Sequence, residues 1–175
     1  MSETTQDRRT TTSHSQTQKH TALHETALSF VATQHYNASL DGKLDFPSLR
    51  ALVTPSYTHT FGPAYAVSVA PKLQGVFSVD ELIAHLSGMV GHLDGWEVEV
   101  NGCVVDEVGE SVVVRASYEM RVKGAEEVVV NEVVWWLELE EQVGGGWKIK
   151  RSREMVDAVA AGRIRELMAE SRGSG

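Results

Sequence analysis

The sequence predicts an α+β fold, with helical segments first, a block of strands after them and one closing helix. Three observations carry this. Apolar residues recur at helical spacing up to Leu93, the period changes to two from Gly95 to Arg153, and helical spacing returns at Ala160, Ile164, Leu167 and Met168.

Leu23, Ala27, Phe30, Val31 and Ala38 share one helical face, and Leu40-Asp41-Gly42-Lys43 supplies the break that ends this first helix. Asp45-Phe46-Pro47 opens a short second helix with Leu49, Leu52 and Val53 inward, and Pro55 stops it. Ser78-Val79-Asp80-Glu81 has the form of a capping box. Behind it Val79, Leu82, Ile83, Leu86, Met89, Val90 and Leu93 form a continuous apolar stripe, which predicts a third helix.

In the strand block, Trp96, Val98 and Val100 alternate with polar residues, and Asn101-Gly102 marks a bulge or a turn. The next strand buries Val112, Val114, Ala116, Tyr118, Met120 and Val122, so Tyr118 faces inward. Lys123-Gly124 turns the chain into a third strand that is apolar on both faces, and Gly144-Gly145-Gly146 turns it into a fourth, from Trp147 to Arg153. The basic run Lys148 to Arg153 reads as a solvated strand edge. Asp157 stands where the closing helix needs an N-cap.

The polar, Ser/Thr/Gln-rich residues 1–20 lack the apolar surface that would repay ordering and are expected to form a disordered tail. Residues 21–170 make one domain, and 171–175 a frayed end. A net charge of −8 and a pI near 5.3 argue against sequence-independent binding to nucleic acid or to an anionic membrane. No apolar stretch is long enough to span a bilayer or to form a secretory core, so a soluble cytoplasmic protein is expected. The acidic surface and the doubly apolar third strand together predict a homodimer.

Several chemistries drop out. Cys103 has no second cysteine to pair with and no recognisable base beside it. No His or Cys spacing suggests a metal, and the glycines at 144 to 146 lack both the spacing and the following helix of a phosphate cradle, so no cofactor is expected. What remains is Glu132, set in Val128-Val129-Val130-Asn131-Glu132-Val133-Val134-Trp135-Trp136-Leu137. A carboxylate placed there must be paired, protonated or open to a cavity. It lies on a solvated sheet face, or is a structural ion-pair member, or is a proton-transfer group whose pKa desolvation among Val130, Val134 and Trp136 would raise. Tyr118 is either a core aromatic or a donor to a carbonyl or enolate oxygen. Arg50, His35, His85 and His92 either reach a pocket rim or face water.

The order of elements, with Tyr36-Asn37-Ala38, Tyr57-Thr58-His59-Thr60-Phe61-Gly62-Pro63, Asn131-Glu132 and Glu154-Met155-Val156-Asp157, resembles the SnoaL-like proteins of the nuclear transport factor 2-like superfamily from about Ala22 to Met168. Within it, the chain is most similar to small fungal isomerases and cyclases of terpenoid and polyketide pathways. It departs from them at Val133, where they carry an aromatic residue, and at Met155, where they carry Phe. The resemblance implies a cone: a strongly curved antiparallel or mixed sheet packed on three helices, plus a C-terminal helix, open at one end to a mostly apolar pocket. It also implies cofactor-free isomerisation, cyclisation or dehydration of a small apolar polycyclic molecule. Glu132, His59 and Tyr118 are then the expected catalytic groups. Tyr36, Arg50, Phe61, Met89, Val130, Val134, Trp136 and Glu154 are the expected walls. Ala64 to Gly75 is a lid or a surface loop. A non-catalytic binding or dimerisation module of the same fold is the alternative.

Overall fold

The structure, a computed structural model, describes the backbone of residues 4–173 and the side chains of residues 18–171. Helix α1 (Thr4–Ala32) is followed by α2 (Phe46–Leu52), strand β1 (Val53–Gly62), the short α3 (Ala64–Ser68), a 3-10 turn at Pro71–Leu73 and α4 (Val79–Val90). Strands β2 (Leu93–Asp106), β3 (Ser111–Val122), β4 (Val128–Glu141) and β5 (Trp147–Val156) then form an antiparallel meander, and α5 (Ala158–Gly173) closes the chain. The sheet order is β1-β5-β4-β3-β2, with β1 parallel to β5, so the sheet is mixed and open.

Local chemistry explains most boundaries. Ser78 caps α4 through the backbone of Glu81, whose carboxylate reaches back to Ser78, and Leu82, Leu86 and Val90 are buried. Asp45 caps α2. The Oδ1 of Asp157 accepts from Val159 and Ala160 N–H at the start of α5. The β4–β5 turn needs Gly144, Gly145 and Gly146 because all three have φ between +88° and +99°.

The core lies between α1 and the concave face of the sheet. Leu23, Ala27, Phe30 and Val31 pack there against Val112, Val114, Trp135, Leu137 and Ile149. Among the described residues, buried side chains begin at Leu23. The backbone of the segment read as a polar tail is helical from Thr4, but its side chains before Gln18 lie outside the described residues, as do residues 1–3 and 174–175.

Four local expectations need correction. The first helix ends at Ala32, and Ala38 is exposed; after Ala32 the chain is held by tight turns, with Asn37 N–H donating to Lys43 O. The helices do not all precede the strands, because Tyr57, His59 and Phe61 alternate inward on β1. Strand β5 is not an edge; it lies between β1 and β4 and buries Ile149 and Ser152. Val100 is 41% exposed, on the far edge strand β2 at a register shift between Val100 and Gly102.

Candidate active site

The concave face of the sheet is only half covered by α1. The other half floors a cavity of about 650 Å³ whose remaining walls are α4, the Ala64–Gly75 segment and α5. Phe61, Trp96, Tyr118, Met120, Asn131 and Val133 line the floor and are buried, whereas Val69, Pro71, Lys72, Ala84 and Arg165 are exposed at the mouth. The volume is in the range of a drug-sized ligand site. The Ala64–Gly75 segment covers part of the mouth and is pinned by Gln74, whose Nε2 donates to Val67 O and Ser68 O.

The polar groups on the floor are few and close together. Glu154, on β5, opens into the cavity with a side chain only 14% exposed. Burial pushes its carboxyl up to about pH 8, so it is a neutral acid at neutrality. Behind it, His59 on β1 is fully buried, with Nε2 3.9 Å from Glu154 Oε2 and Nδ1 2.8 Å from Ser152 Oγ. Burial, aided by the nearby His85, lowers His59 to about 3. Ser152 Oγ also bonds the Tyr57 hydroxyl. When Tyr57 donates to Ser152 and Ser152 donates to Nδ1, the Nε2 proton of His59 faces Glu154. His59 thus backs the carboxyl and does not line the cavity.

Tyr118, on β3, lines the floor. Its hydroxyl accepts from Trp135 Nε1 at 2.8 Å and lies 3.5 Å from Gln34 Oε1, at the end of α1. Burial first, then the Glu154 carboxyl, raises its pKa well above the ordinary value, so it stays a hydroxyl donor. Asn131 also lines the floor and uses its Oδ1 to accept from Asp157 N–H. Trp96 Nε1 and Gln34 Nε2 are buried hydrogen-bond donors without a partner among the described residues, and both residues line the same cavity. The arrangement is an un-ionised carboxylic acid amid donors, against an apolar wall. It can deliver a proton to a substrate oxygen or carbon and take one back.

Of the side chains expected from sequence, Phe61, Met89, Tyr118 and Glu154 line this cavity. Glu132 does not. It is exposed on the opposite, convex face, together with Val130 and Trp136, which are 49% and 53% exposed, and the half-buried Val134. The error is one residue of parity on β4: Val129, Asn131, Val133, Trp135 and Leu137 face inward. Arg50 is held by Asp80, and Tyr36 is half-buried beside β2, its N–H donating to Trp96 O; neither reaches the cavity. His35 lies outside it too, whereas His85 and His92 line its helical side.

The residues missed were Asn131, Gln34 and Trp96. A register argument could have found Asn131, because β3 and β4 are joined by a short turn and Tyr118 pairs directly with it.

The chain has the nuclear transport factor 2-like fold. AusH from Aspergillus nidulans is 22% identical and superposes with a TM-score of 0.61 over 78% of this chain and 84% of that one. PrhC from Penicillium brasilianum is 16% identical, with a TM-score of 0.65 over 88% of this chain and 92% of that one. The BvnE pinacolase from Penicillium brevicompactum is 13% identical, with a TM-score of 0.65 over 86% and 96%. A putative SnoaL-like polyketide cyclase from Jannaschia is 19% identical, with a TM-score of 0.59 over 81% and 90%. No family model matches the sequence, and no curated protein matches it by sequence.

Proposed function

We propose that this protein is a cofactor-independent isomerase, cyclase or dehydratase acting on an apolar polycyclic intermediate of the terpenoid or polyketide class by general acid–base catalysis. The observation that supports this reading above others is Glu154, a carboxylic acid kept protonated at neutral pH on the floor of a largely apolar cavity. Glu154 takes the role the sequence suggested for Glu132. It donates its proton to a substrate oxygen, the skeleton rearranges or loses water, and the resulting carboxylate removes a proton from carbon. The acid is regenerated and no oxidant is needed. Tyr118 and Asn131 hold the reacting oxygen, and His59 positions the carboxyl from behind. The names of two structural neighbours, a pinacolase and a putative polyketide cyclase, fit this reaction class.

The test is turnover on a panel of oxygenated terpenoid and polyketide intermediates in D2O, with products followed by mass spectrometry. Glu154→Gln keeps the shape of the side chain and loses the titrating proton, so turnover should fall by about 10²-fold or more, while Glu132→Gln stays active. A folded Glu154→Gln protein with wild-type turnover overturns the assignment, and ligand binding without turnover by the wild type points to a binding module.

The working unit in this proposal is residues 21–170 in the cytoplasm, with a small molecule and not nucleic acid as its ligand. Among the described residues, no helix is long and apolar enough to cross a membrane. The convex sheet face exposes Val104, Val130 and Trp136, and we assign it to a homodimer contact. Analytical ultracentrifugation at micromolar concentration should give a dimer mass; a monomer mass rejects this.

A further inference from the structure

The cavity has one acid on its wall and several bases at its mouth. Glu154, the only carboxylate among the lining residues, is un-ionised at neutrality. The other titratable side chains there, besides Tyr118, are Lys72 on the 3-10 turn, His85 on α4, His92 just past its end and Arg165 on α5. Three separate elements therefore place basic groups around one opening, in a chain whose net charge is −8. Such an arrangement has to be maintained against the charge of the rest of the protein, and a mouth meant only for neutral hydrocarbon does not need it.

The pairing pattern reinforces this. Arg163, two residues before Arg165 on α5, is held by Glu127, Glu166 and Glu170. Arg165 has no carboxylate partner among the described residues, its only hydrogen bond there being from Nε to Ala161 O, and Lys72 has none either. The charge of Lys72 depresses the pKa of His85, an effect second to burial. His85 sits against Phe61, with ring centroids 5.1 Å apart, which places it between the charged mouth and the apolar floor.

Resting on the function proposed above, we propose that the substrate carries an anionic group, a carboxylate on an otherwise apolar polycycle, which Lys72 and Arg165 receive at the mouth while the skeleton lies on Phe61, Met120 and Val133. The anchor fixes which end of the molecule reaches Glu154, Tyr118 and Asn131. It thereby selects the reacting bond from a skeleton that offers apolar surface on every side. A carboxylate needs no more than the two cations that line this mouth. A diphosphate would call for a denser set of donors.

The experiment is calorimetric titration of the full chain with abietic acid, a tricyclic carboxylic acid, and with its methyl ester, each at 20 and 300 mM salt. The acid should bind about fivefold or more tightly than the ester at low salt, the scale of two exposed charge pairs, and the preference should shrink at high salt. The double variant Lys72→Glu/Arg165→Glu should bring the acid-to-ester ratio to one or below. Both residues are exposed, and circular dichroism checks that the fold is retained. Equal binding of acid and ester by the wild type overturns the anionic substrate and leaves the acid–base reading standing. A preference that survives in the double variant overturns the role of this mouth. Failure of both compounds to bind counts against this inference and against the function it rests on. Glu154→Gln should keep the preference for the acid, which separates recognition at the mouth from chemistry on the floor.

Discussion

The two faces of β4 are built from nearly the same residue types and do opposite things. The inner face carries Val129, Asn131, Val133, Trp135 and Leu137, all buried, and the outer face carries Val128, Val130, Glu132, Val134 and Trp136, mostly exposed. Both rows are apolar but for one polar residue, and in both a tryptophan follows four positions after it. What separates them is the register with β3, which places Asn131 opposite Tyr118 and Glu132 opposite Ser117. A charge in an apolar run therefore points to function only once its face is known. On the outer face Glu132 is solvated; Glu154, in a less conspicuous stretch of sequence, is the carboxylate that the fold removes from water.

The largest test of this comparison is mechanical. Trp135 is fully buried, its ring is edge-on to Phe30 with centroids 5.4 Å apart, and its Nε1 donates to Tyr118. Trp135→Ala should cost about 3–5 kcal/mol of stability, measured by urea denaturation. Glu132→Gln on the outer face should stay within about 0.5 kcal/mol, because it disturbs no buried contact. Equal losses in the two variants would mean that the faces are assigned the wrong way round.

How far the sequence could be read follows from where the decisive contacts lie. The α4 cap, the Asp45 and Asp157 caps, the glycine turn and the inward row of β3 are set by neighbours a few residues apart or by clean alternation, and these were legible. The order of elements, with its resemblance, was enough for the fold. The face of Glu154 was not legible, because of an irregularity in β5. Leu139 pairs with Ile149 and Glu138 with Arg151, so Lys150 is an extra residue, and the inward parity jumps from Ile149 to Ser152 and Glu154. Unbroken alternation from Ile149 would have sent Arg151 and Arg153 inward and Glu154 out. The charge cluster at the cavity mouth was equally hidden, since Lys72, His85 and Arg165 come together only through tertiary packing.

A smaller effect distinguishes the two carboxylates by pH. The Glu154 carboxyl is raised from 4.5 to about 8 in the folded state, so between those values the folded protein binds more protons than the unfolded chain. Stability from this group is full below pH 4.5 and is lost as pH rises toward 8, with a slope of at most about 1.4 kcal/mol per pH unit. His59, lowered from 6.5 to about 3, works in the other sense: its contribution is full well above pH 6.5 and falls away as pH drops through 6.5 toward 3. From pH 6.5 to 8 the opposing His59 slope fades, and it cancels when wild type is compared with a variant that keeps His59. Chemical denaturation across that interval should show wild type losing stability faster than Glu154→Gln, whereas Glu132→Gln should follow wild type. A wild-type slope unchanged by Glu154→Gln would mean that the carboxyl is already ionised at pH 6.5.

The smallest effect belongs to the residue where the two faces of β4 meet the cavity wall. Asp157 N–H donates both to the side-chain Oδ1 of inward Asn131 and to the backbone carbonyl of outward Glu132, while its carboxylate caps α5. Helix α5 carries Ala161, Ile164, Arg165 and Met168 to the cavity, so the cap ties the position of that wall to the register of β4. Asp157→Ala removes the cap and leaves both backbone bonds in place. It should cost about 1 kcal/mol, seen as faster amide exchange confined to the first turns of α5, with the sheet unchanged. Asp157→Asn retains a side-chain acceptor and should restore most of the protection, since the cap works by hydrogen bonding more than by charge. If Asp157→Ala instead loosens β4 as strongly as α5, the helix and the strand open as one unit, and the inner face owes its order to α5 as well as to its own packing.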